Sequence, residues 1–289
     1  MNAASIGVDV GGTKIAAALV ARGGGVLART NVRTEASRPG RQVLADAVGA
    51  AREMASSASE RGLLVDGVGV GVPEIVDPLG RIATDAVIDW MDLPVEDAFS
   101  SLGPVAVVAD VRAAALGEAV LGAGRGYRTF VYVTVGTGIS HTLVVDGQPY
   151  AGARGAALLL GSGSLGGVVL EEVASGPAIA AAAGVSGAEE VLASDDAAAV
   201  RIVNEAARAL GEGVGVLVNL LDPEAVVIGG GLGTAGGRYW DGVVAAARNA
   251  VWLDAARDLP IVPAGLGNDA GACGAALATR RLTAYARQP

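Results

Sequence analysis

The sequence predicts an α/β protein of two lobes with related topology, an expectation that rests on three observations. Short apolar strands alternate with helical stretches along the chain, the pattern of an α/β architecture. One β-hairpin design occurs twice, as IGVDVGGTKIAAALV at Ile6–Val20 and as VYVTVGTGISHTLVV at Val131–Val145. No low-complexity linker separates the copies, so ordered segments are expected to join the lobes. The 289 residues suffice for one large domain or two ordinary ones.

Each element follows from its pattern. In the first copy Ile6, Val8 and Val10 alternate with other residues, and in the second Val131, Val133 and Val135 do the same, which is strand periodicity. A turn comes next (Gly11-Gly12-Thr13; Gly136-Thr137-Gly138), then a second apolar strand. Hairpins are common, but the shared Gly/Thr turn favours duplication. Arg41–Met54 has helical spacing through Val43, Leu44, Ala47, Ala51 and Met54, and Leu64–Val70 is an apolar strand running into Gly71-Val72-Pro73. Val105–Val108 is a short strand, with an Ala-rich helix at Val111–Leu121 behind Asp110. The longest helix runs from about Asp195 to Leu221, apolar at steps of three and four. Such a stripe could be a coiled-coil seam; without flanking charge pairs it reads as a buried core helix. Pro223 stops it, and Ala225–Ile228 forms a strand entering Gly229-Gly230-Gly231.

Composition excludes several classes. The apolar runs are broken by Gly, Asp or Arg short of a membrane span, and a strand is already under way at Ser5, where a leader would be apolar behind a basic start. A cytoplasmic protein without a membrane partner is expected. The net charge of −9 argues against nucleic acid, whose phosphates need a basic face. Cys273 and His141 are each alone, which leaves no disulfide, no cysteine-rich metal site and no expectation of a mechanism built on a His/Cys cluster. Of 21 basic residues only one is a lysine, Lys14, and it sits in the first glycine-rich turn.

That turn carries chemistry. Asp9 is a carboxylate in an otherwise apolar strand, a costly placement unless it is paired or faces a cation. Beside it, Gly11, Gly12, Thr13 and Lys14 offer backbone N–H groups and a cation to an anion. A carboxylate near a metal and donors for phosphate oxygens suit an Mg²⁺-bound nucleoside triphosphate. No Walker loop is present. A tight turn with a capping Asp is the plainer alternative.

DVGGTK at Asp9–Lys14, GTGI at Gly136–Ile139, NLLDPEAVVIGGGL at Asn219–Leu232 and DAGACGAAL at Asp269–Leu277 together resemble the ROK family of repressors, open reading frames and sugar kinases, within the sugar kinase, heat-shock chaperone and actin superfamily. The resemblance implies a two-lobed, actin-like (ribonuclease H-like) ATPase fold with ATP in the cleft. It puts a small lobe at 1–109, with a C-terminal helix at about 277–289 packing back on it, and a large lobe at 110–276. It implies that Gly11, Gly12, Thr13, Lys14, Gly136, Thr137 and Gly138 hold phosphates, that Gly229, Gly230 and Gly231 lie against adenosine, and that Asp9 reaches Mg²⁺ through water. Regulators of the family carry an N-terminal helix-turn-helix, and nothing of the kind precedes the first strand here, which favours a kinase. Family members are usually dimers or tetramers, so a homodimer is expected.

Asp110 follows a strand and opens a helix, a place for a carboxylate that accepts a proton from an attacking hydroxyl. ADVRAAALGE at Ala109–Glu118 resembles the family's NDANAAALGE, where that Asp is the catalytic base; a helix N-cap suits the position equally, and the roles coexist. In the sugar site the resemblance breaks. The family's two Asn become Ala109 and Arg112, its GxxGxxGE[IL]GH pattern becomes GARGAALLLGS at Gly152–Ser162, its sugar-contacting Glu is Leu159, and its sugar- and zinc-binding His is Ser162. The cysteine-rich zinc loop is missing, so no structural zinc is expected. Glu171 matches the last family sugar ligand. Glu74 replaces a Gly, and Asp89 precedes Trp90 in a segment near the sugar in relatives. Candidate substrate contacts are Glu74, Asp89, Asp110, Arg112, Gly155, Ser162 and Glu171. The expected substrate is a modified sugar, an amino sugar or a C7 cyclitol of specialised metabolism, such as antibiotic biosynthesis, rather than glucose. A glucokinase-type enzyme with a remodelled pocket and a non-catalytic binding protein are the alternatives.

Overall fold

The computed structural model describes residues 3–165 and 167–285, and the chain divides into two compact units. The first begins with strands β1 (Ala3–Val10), β2 (Lys14–Ala21) and β3 (Val26–Arg33) and helix α1 (Gly40–Glu60). β4 (Leu64–Val72), α2 (Val95–Phe99), β5 (Val105–Ala109) and α3 (Asp110–Val120) follow. Its sheet runs β3-β2-β1-β4-β5. β1 pairs antiparallel with β2 and parallel with β4, and β4 is parallel to β5. The parallel run β1-β4-β5 places Asp9 near the C-terminal end of β1 and Asp110 immediately after β5, where α/β sheets put their ligand-binding groups.

The second unit opens with the hairpin β6 (Thr129–Val135) and β7 (Ile139–Val145). β8 (Gln148–Pro149) follows in the chain but falls in the first unit, and the second resumes with the two-residue strands β9 (Ser164–Leu165) and β10 (Val168–Val169). Helices α4 (Glu171–Ala174), α5 (Gly176–Ala183), α6 (Ala188–Leu192) and α7 (Ala197–Leu221) lead to β11 (Ala225–Gly229). α8 (Gly230–Gly233), α9 (Gly237–Ala250) and β12 (Ile261–Pro263) complete the run. The second sheet runs β12-β11-β6-β7-β8. The long helix is a core helix: Val203, Ala207, Leu210, Val214 and Leu217 are buried, Asp196 caps its start through the N–H groups of Ala198 and Ala199, and a left-handed Asp222 ends it.

The last helix, α10 (Ala270–Tyr285), belongs to the first unit. A Cβ on Gly7 would lie 1.7 Å from the Ala272 carbonyl oxygen, and one on Gly69 1.7 Å from that of Ala275. One on Gly274 would lie 1.6 Å from the Ala113 oxygen. Backbone therefore meets backbone where α10 crosses β1, β4 and α3, and no larger residue fits.

This packing moves the expected boundary. The first unit runs to Gly122, takes in Gln148–Ala157 and resumes at Asn268, whereas the sequence put the division before Asp110. α3 stays with the first unit because α10 clamps it there. The terminal helix starts at Ala270 rather than about 277; residues 286–289 of that expectation lie outside the described residues. β3, a half-exposed strand rich in polar residues, and α9 were not anticipated.

Candidate active site

In the first unit Asp9 stands across from Ala16 on β2 and Gly71 on β4. A Cβ on Gly71 would lie 3.2 Å from Asp9 Oδ1, and one on Gly271 of α10 only 2.1 Å from Oδ2. The carboxylate thus occupies space that two glycines leave. It accepts no hydrogen bond among the described residues. Burial pushes its pKa up to about 6, with Lys14 opposing the rise. An unpartnered carboxylate in such surroundings fits a cation from outside the chain.

The adjoining turn is ready for an anion. Val10 pairs with Ile15, leaving Gly11–Lys14 as the loop, closed by Gly11 N–H donating to the Lys14 carbonyl at 2.9 Å. Thr13 and Lys14 are exposed.

Asp110 is the first residue of α3. Its Oδ1 accepts from Val111 N–H at 2.6 Å, while Oδ2 accepts no hydrogen bond among the described residues. Burial first, then the Asp9 charge, lift its pKa to about 7, and Glu74 adds to the rise; the Val111 hydrogen bond and Arg112 oppose it. A carboxyl group half-ionised near neutral pH, with one open oxygen, is equipped to accept a proton.

The neighbouring candidates are occupied by the protein itself. Glu74 is buried, and its oxygens accept from Thr84 Oγ1 at 2.5 Å and from the N–H groups of Ala86, Val87 and Ile88 at 2.9, 2.7 and 2.9 Å. Arg112 is buried too, donating to the carbonyls of Gly155 and Val76. Gly155 takes φ +81°, and its Cβ would lie 2.0 Å from the Val76 oxygen. Asp89 is exposed on a bend whose carbonyl rests against Gly40. A cavity of 380 Å³ lies along β5 and α3, walled by Val105, Val107, Arg112 and Leu116, but neither Asp9 nor Asp110 lines it.

In the second unit two glycine turns stand side by side at the ends of the parallel strands β6 and β11, where Gly229 pairs with Thr134. Gly136 N–H donates to the Gly138 carbonyl at 2.9 Å, and a Cβ on Gly136 would lie 4.0 Å from Gly231 N. Gly230 has φ +81° and packs on the Val135 carbonyl. Gly176 N–H, at the start of α5, donates to the Gly136 carbonyl at 2.8 Å. Glu171 Oε2 accepts from Ile139 N–H at 2.8 Å and abuts Gly138. Thr137, Leu159 and Ser162 are exposed. His141 Nδ1 accepts from Leu160 N–H at 3.3 Å, a structural use of the single histidine.

The structure therefore gathers Asp9, Gly11–Lys14, Glu74, Asp110, Arg112 and Gly155 in the first unit, and Gly136–Gly138, Gly229–Gly231 and Glu171 in the second. Sequence reasoning missed Gly71 and Gly271, which make room for Asp9, and the loop from Thr84 to Ile88, which encloses Glu74. Gly71 and Gly271 lie inside quoted motifs, so a signal was present without its meaning.

Comparison with known proteins agrees in kind. The family model described as the ROK family matches residues 5–281. A glucokinase of Streptomyces coelicolor is 32% identical, over 94% of this chain and 96% of its own. A kanosamine kinase of Amycolatopsis mediterranei is 29% identical, over 78% and 80%. The structure of a ROK family glucokinase from Streptomyces griseus, in complex with glucose and AMPPNP, superposes with a TM-score of 0.80 at 31% identity, covering 96% of this chain and 99% of that one. Among the described residues no helix is long and apolar enough to cross a membrane.

Proposed function

The chain belongs to the ROK family, with the family's actin-like α/β fold, and is an ATP-dependent phosphotransferase with a hydroxyl acceptor; from that premise we propose that Asp110 is its catalytic base and that its acceptor is an amino sugar, another modified sugar or a C7 cyclitol. The observation that carries the first part is the open Oδ2 of Asp110 on a carboxyl group raised to about 7. The acceptor hydroxyl, of the primary exocyclic kind, gives its proton to that oxygen as its own oxygen bonds to the γ-phosphorus and ADP departs with the bond it broke. By the family resemblance, Asp9 would reach Mg²⁺ through water and Gly11–Lys14 would hold phosphates in the first unit, while in the second Gly136–Gly138 would hold phosphates and Gly229–Gly231 would lie against adenosine. Mg²⁺ bound with ATP supplies neutralisation of charge on the phosphates.

The substrate class rests on the departures. Ala109, Leu159 and Ser162 stand where the family resemblance implies an Asn, a Glu and a His. Each missing hydrogen bond to a hydroxyl is worth roughly 0.5–3 kcal/mol, so glucose loses several kcal/mol of recognition. Asp89, Gly155, Ser162 and Glu171 remain candidates to face the acceptor, and a relative is named for kanosamine, an amino sugar. The second reading, a hexose kinase with a remodelled pocket, is favoured by the relatives named glucokinase.

The deciding experiment is ATP consumption across glucose, N-acetylmannosamine, kanosamine, other amino sugars and C7 cyclitols. Preference for an amino sugar or cyclitol supports the proposal, and preference for glucose supports the second reading. ATP binding without turnover on any of them supports a binding protein. Asp110→Asn should lower kcat by about 10²–10⁴-fold with little change in KM for ATP; near-normal turnover would remove Asp110 from its role. We also propose a zinc-free homodimer in the cytoplasm, and light scattering with elemental analysis would refute it by a monomer mass or one zinc per chain.

A further inference from the structure

We propose that Glu74 and Arg112 are positioning residues, two buried and oppositely charged side chains that lock the backbone on the acceptor side of Asp110 instead of binding the acceptor themselves. The proposal rests on the reading of Asp110 as the base.

Each of the two is a charge that burial would penalise unless satisfied. Glu74 is 3% exposed and Arg112 8%. An ionised carboxylate offers about four lone-pair sites. Glu74 meets a hydroxyl and three backbone N–H groups, from Thr84, Ala86, Val87 and Ile88. Nothing remains on it for a substrate hydroxyl. The three N–H groups come from a stretch without regular secondary structure, so the carboxylate supplies the partner that a helix or sheet would otherwise provide. Thr84 Oγ1 also accepts from Ile75 N–H at 3.0 Å, and Ala83 N–H donates to the Ile75 carbonyl at 2.8 Å. The segment from Glu74 to Ile88 is thus wound around one buried carboxylate.

Arg112 fastens that wound loop to a second segment. Its Nη2 donates to the Val76 carbonyl and its Nη1 to the Gly155 carbonyl at 2.9 Å. The two carbonyls approach each other because Gly155, at φ +81°, leaves no side chain against Val76. A planar guanidinium reaches the two acceptors from two separate nitrogens held in one fixed plane, whereas an ammonium group must serve both from a single atom. The result is one chain of contacts, from Ile88 through Glu74 and Val76 to Arg112 and Gly155. The two charges are of opposite sign and act on the Asp110 carboxylate in opposite directions. The acceptor then meets a backbone frame whose shape is fixed before it binds, which lowers the ordering cost of binding.

The test uses hydrogen–deuterium exchange on the full ligand-free chain, with Glu74→Gln, Arg112→Met and Arg112→Lys. Glu74→Gln puts an amide donor where an acceptor is needed, so amides 86–88 should exchange about tenfold faster or more, the effect of losing a hydrogen bond or two. Arg112→Met should accelerate exchange in segments 75–77 and 155–157, and Arg112→Lys, which keeps the charge but loses the fork, should fall between. Amides of β6 and α7 serve as the unchanged reference. Kinetics with glucose and with kanosamine as probes should show the acceptor KM raised about tenfold in Arg112→Met with the ATP KM unaltered. Exchange at parental rates in both Glu74→Gln and Arg112→Met overturns the proposal, as does an equal rise in both KM values. If Arg112→Met does not fold, Arg112→Lys and Glu74→Gln carry the same expectations. Asp110→Asn is scored separately: if it stays active the base assignment is lost, while the exchange results still decide the frame.

Discussion

The two hairpins share one design and put their carboxylates to opposite uses. The first turns through Gly11–Lys14 between the paired residues Val10 and Ile15, and the second through Gly136–Gly138 between the paired residues Val135 and Ile139. The first hairpin carries its carboxylate in the strand, as Asp9, without a hydrogen bond among the described residues and with a raised pKa. At the corresponding place the second has Thr134, and its carboxylate arrives from α4 as Glu171, which accepts the Ile139 N–H. An unpartnered acid keeps its affinity for an outside cation, while a partnered one stiffens the turn it touches. A duplicated backbone therefore fixes where a turn goes and leaves its chemistry to one or two side chains.

The largest expected effect separates those chemistries. If Asp9 serves Mg²⁺ as proposed, Asp9→Asn should lower kcat/KM for Mg²⁺-ATP by at least about 10²-fold, since the anionic partner of the cation is lost. Thr134→Ala, its counterpart, should change the same constant less than threefold or so. Equal effects of the two substitutions in steady-state kinetics would end the comparison.

Next in size is a pair of glycine substitutions. Gly271→Ala forces a methyl to 2.1 Å from Asp9 Oδ2, and Gly138→Ala places one 2.9 Å from Glu171 Oε2. Asp9 is short and hemmed in by Gly71, whereas Glu171 has a longer stem that gives way. Gly271→Ala should raise the KM for ATP about tenfold or more, and Gly138→Ala by a few-fold at most. Isothermal titration with AMPPNP reads the same order without turnover.

The smallest effect concerns pH. Asp110 is raised to about 7 from 3.8, so the folded state holds a proton that the unfolded state has released between those values. Its contribution to stability is fully present below about pH 4 and is lost as pH rises through about 7. Asp110→Asn cannot lose that proton, so at pH 8 it should melt a few degrees above the parent, with the difference vanishing near pH 4. The parent's kcat/KM should fall on the acid side of about pH 7 as the base is protonated. A melting point at pH 8 below the parent's would show that Asp110 is not strained in its charged form.

Much of the frame was legible. Alternation gave the strands of both hairpins, steps of three and four gave α7, and a carboxylate behind Val105–Val108 marked the start of α3. Local periodicity governs these elements, and their apolar faces leave one reading. β3 was missed because none of its residues is buried, and its half-buried face mixes Ala28 and Thr30 with Val26 and Val32. The surroundings of Glu74 were hidden for another reason. An acid in place of a glycine reads as a new ligand, and only the course of Thr84–Ile88 shows that its oxygens are taken.

What the sequence by itself determined is the set of turns and carboxylates, because glycine positions, hairpin pairing and a helix start depend on residues a few steps apart. What the tertiary structure decided is which of those groups remain available. Gly271 of α10 makes room for Asp9 from more than two hundred residues away, and Gly155 brings its carbonyl to Arg112. Whether a buried charge is spent or open depends on donors contributed by distant segments, and hydrogen bonds over such separations leave no periodic trace in the chain.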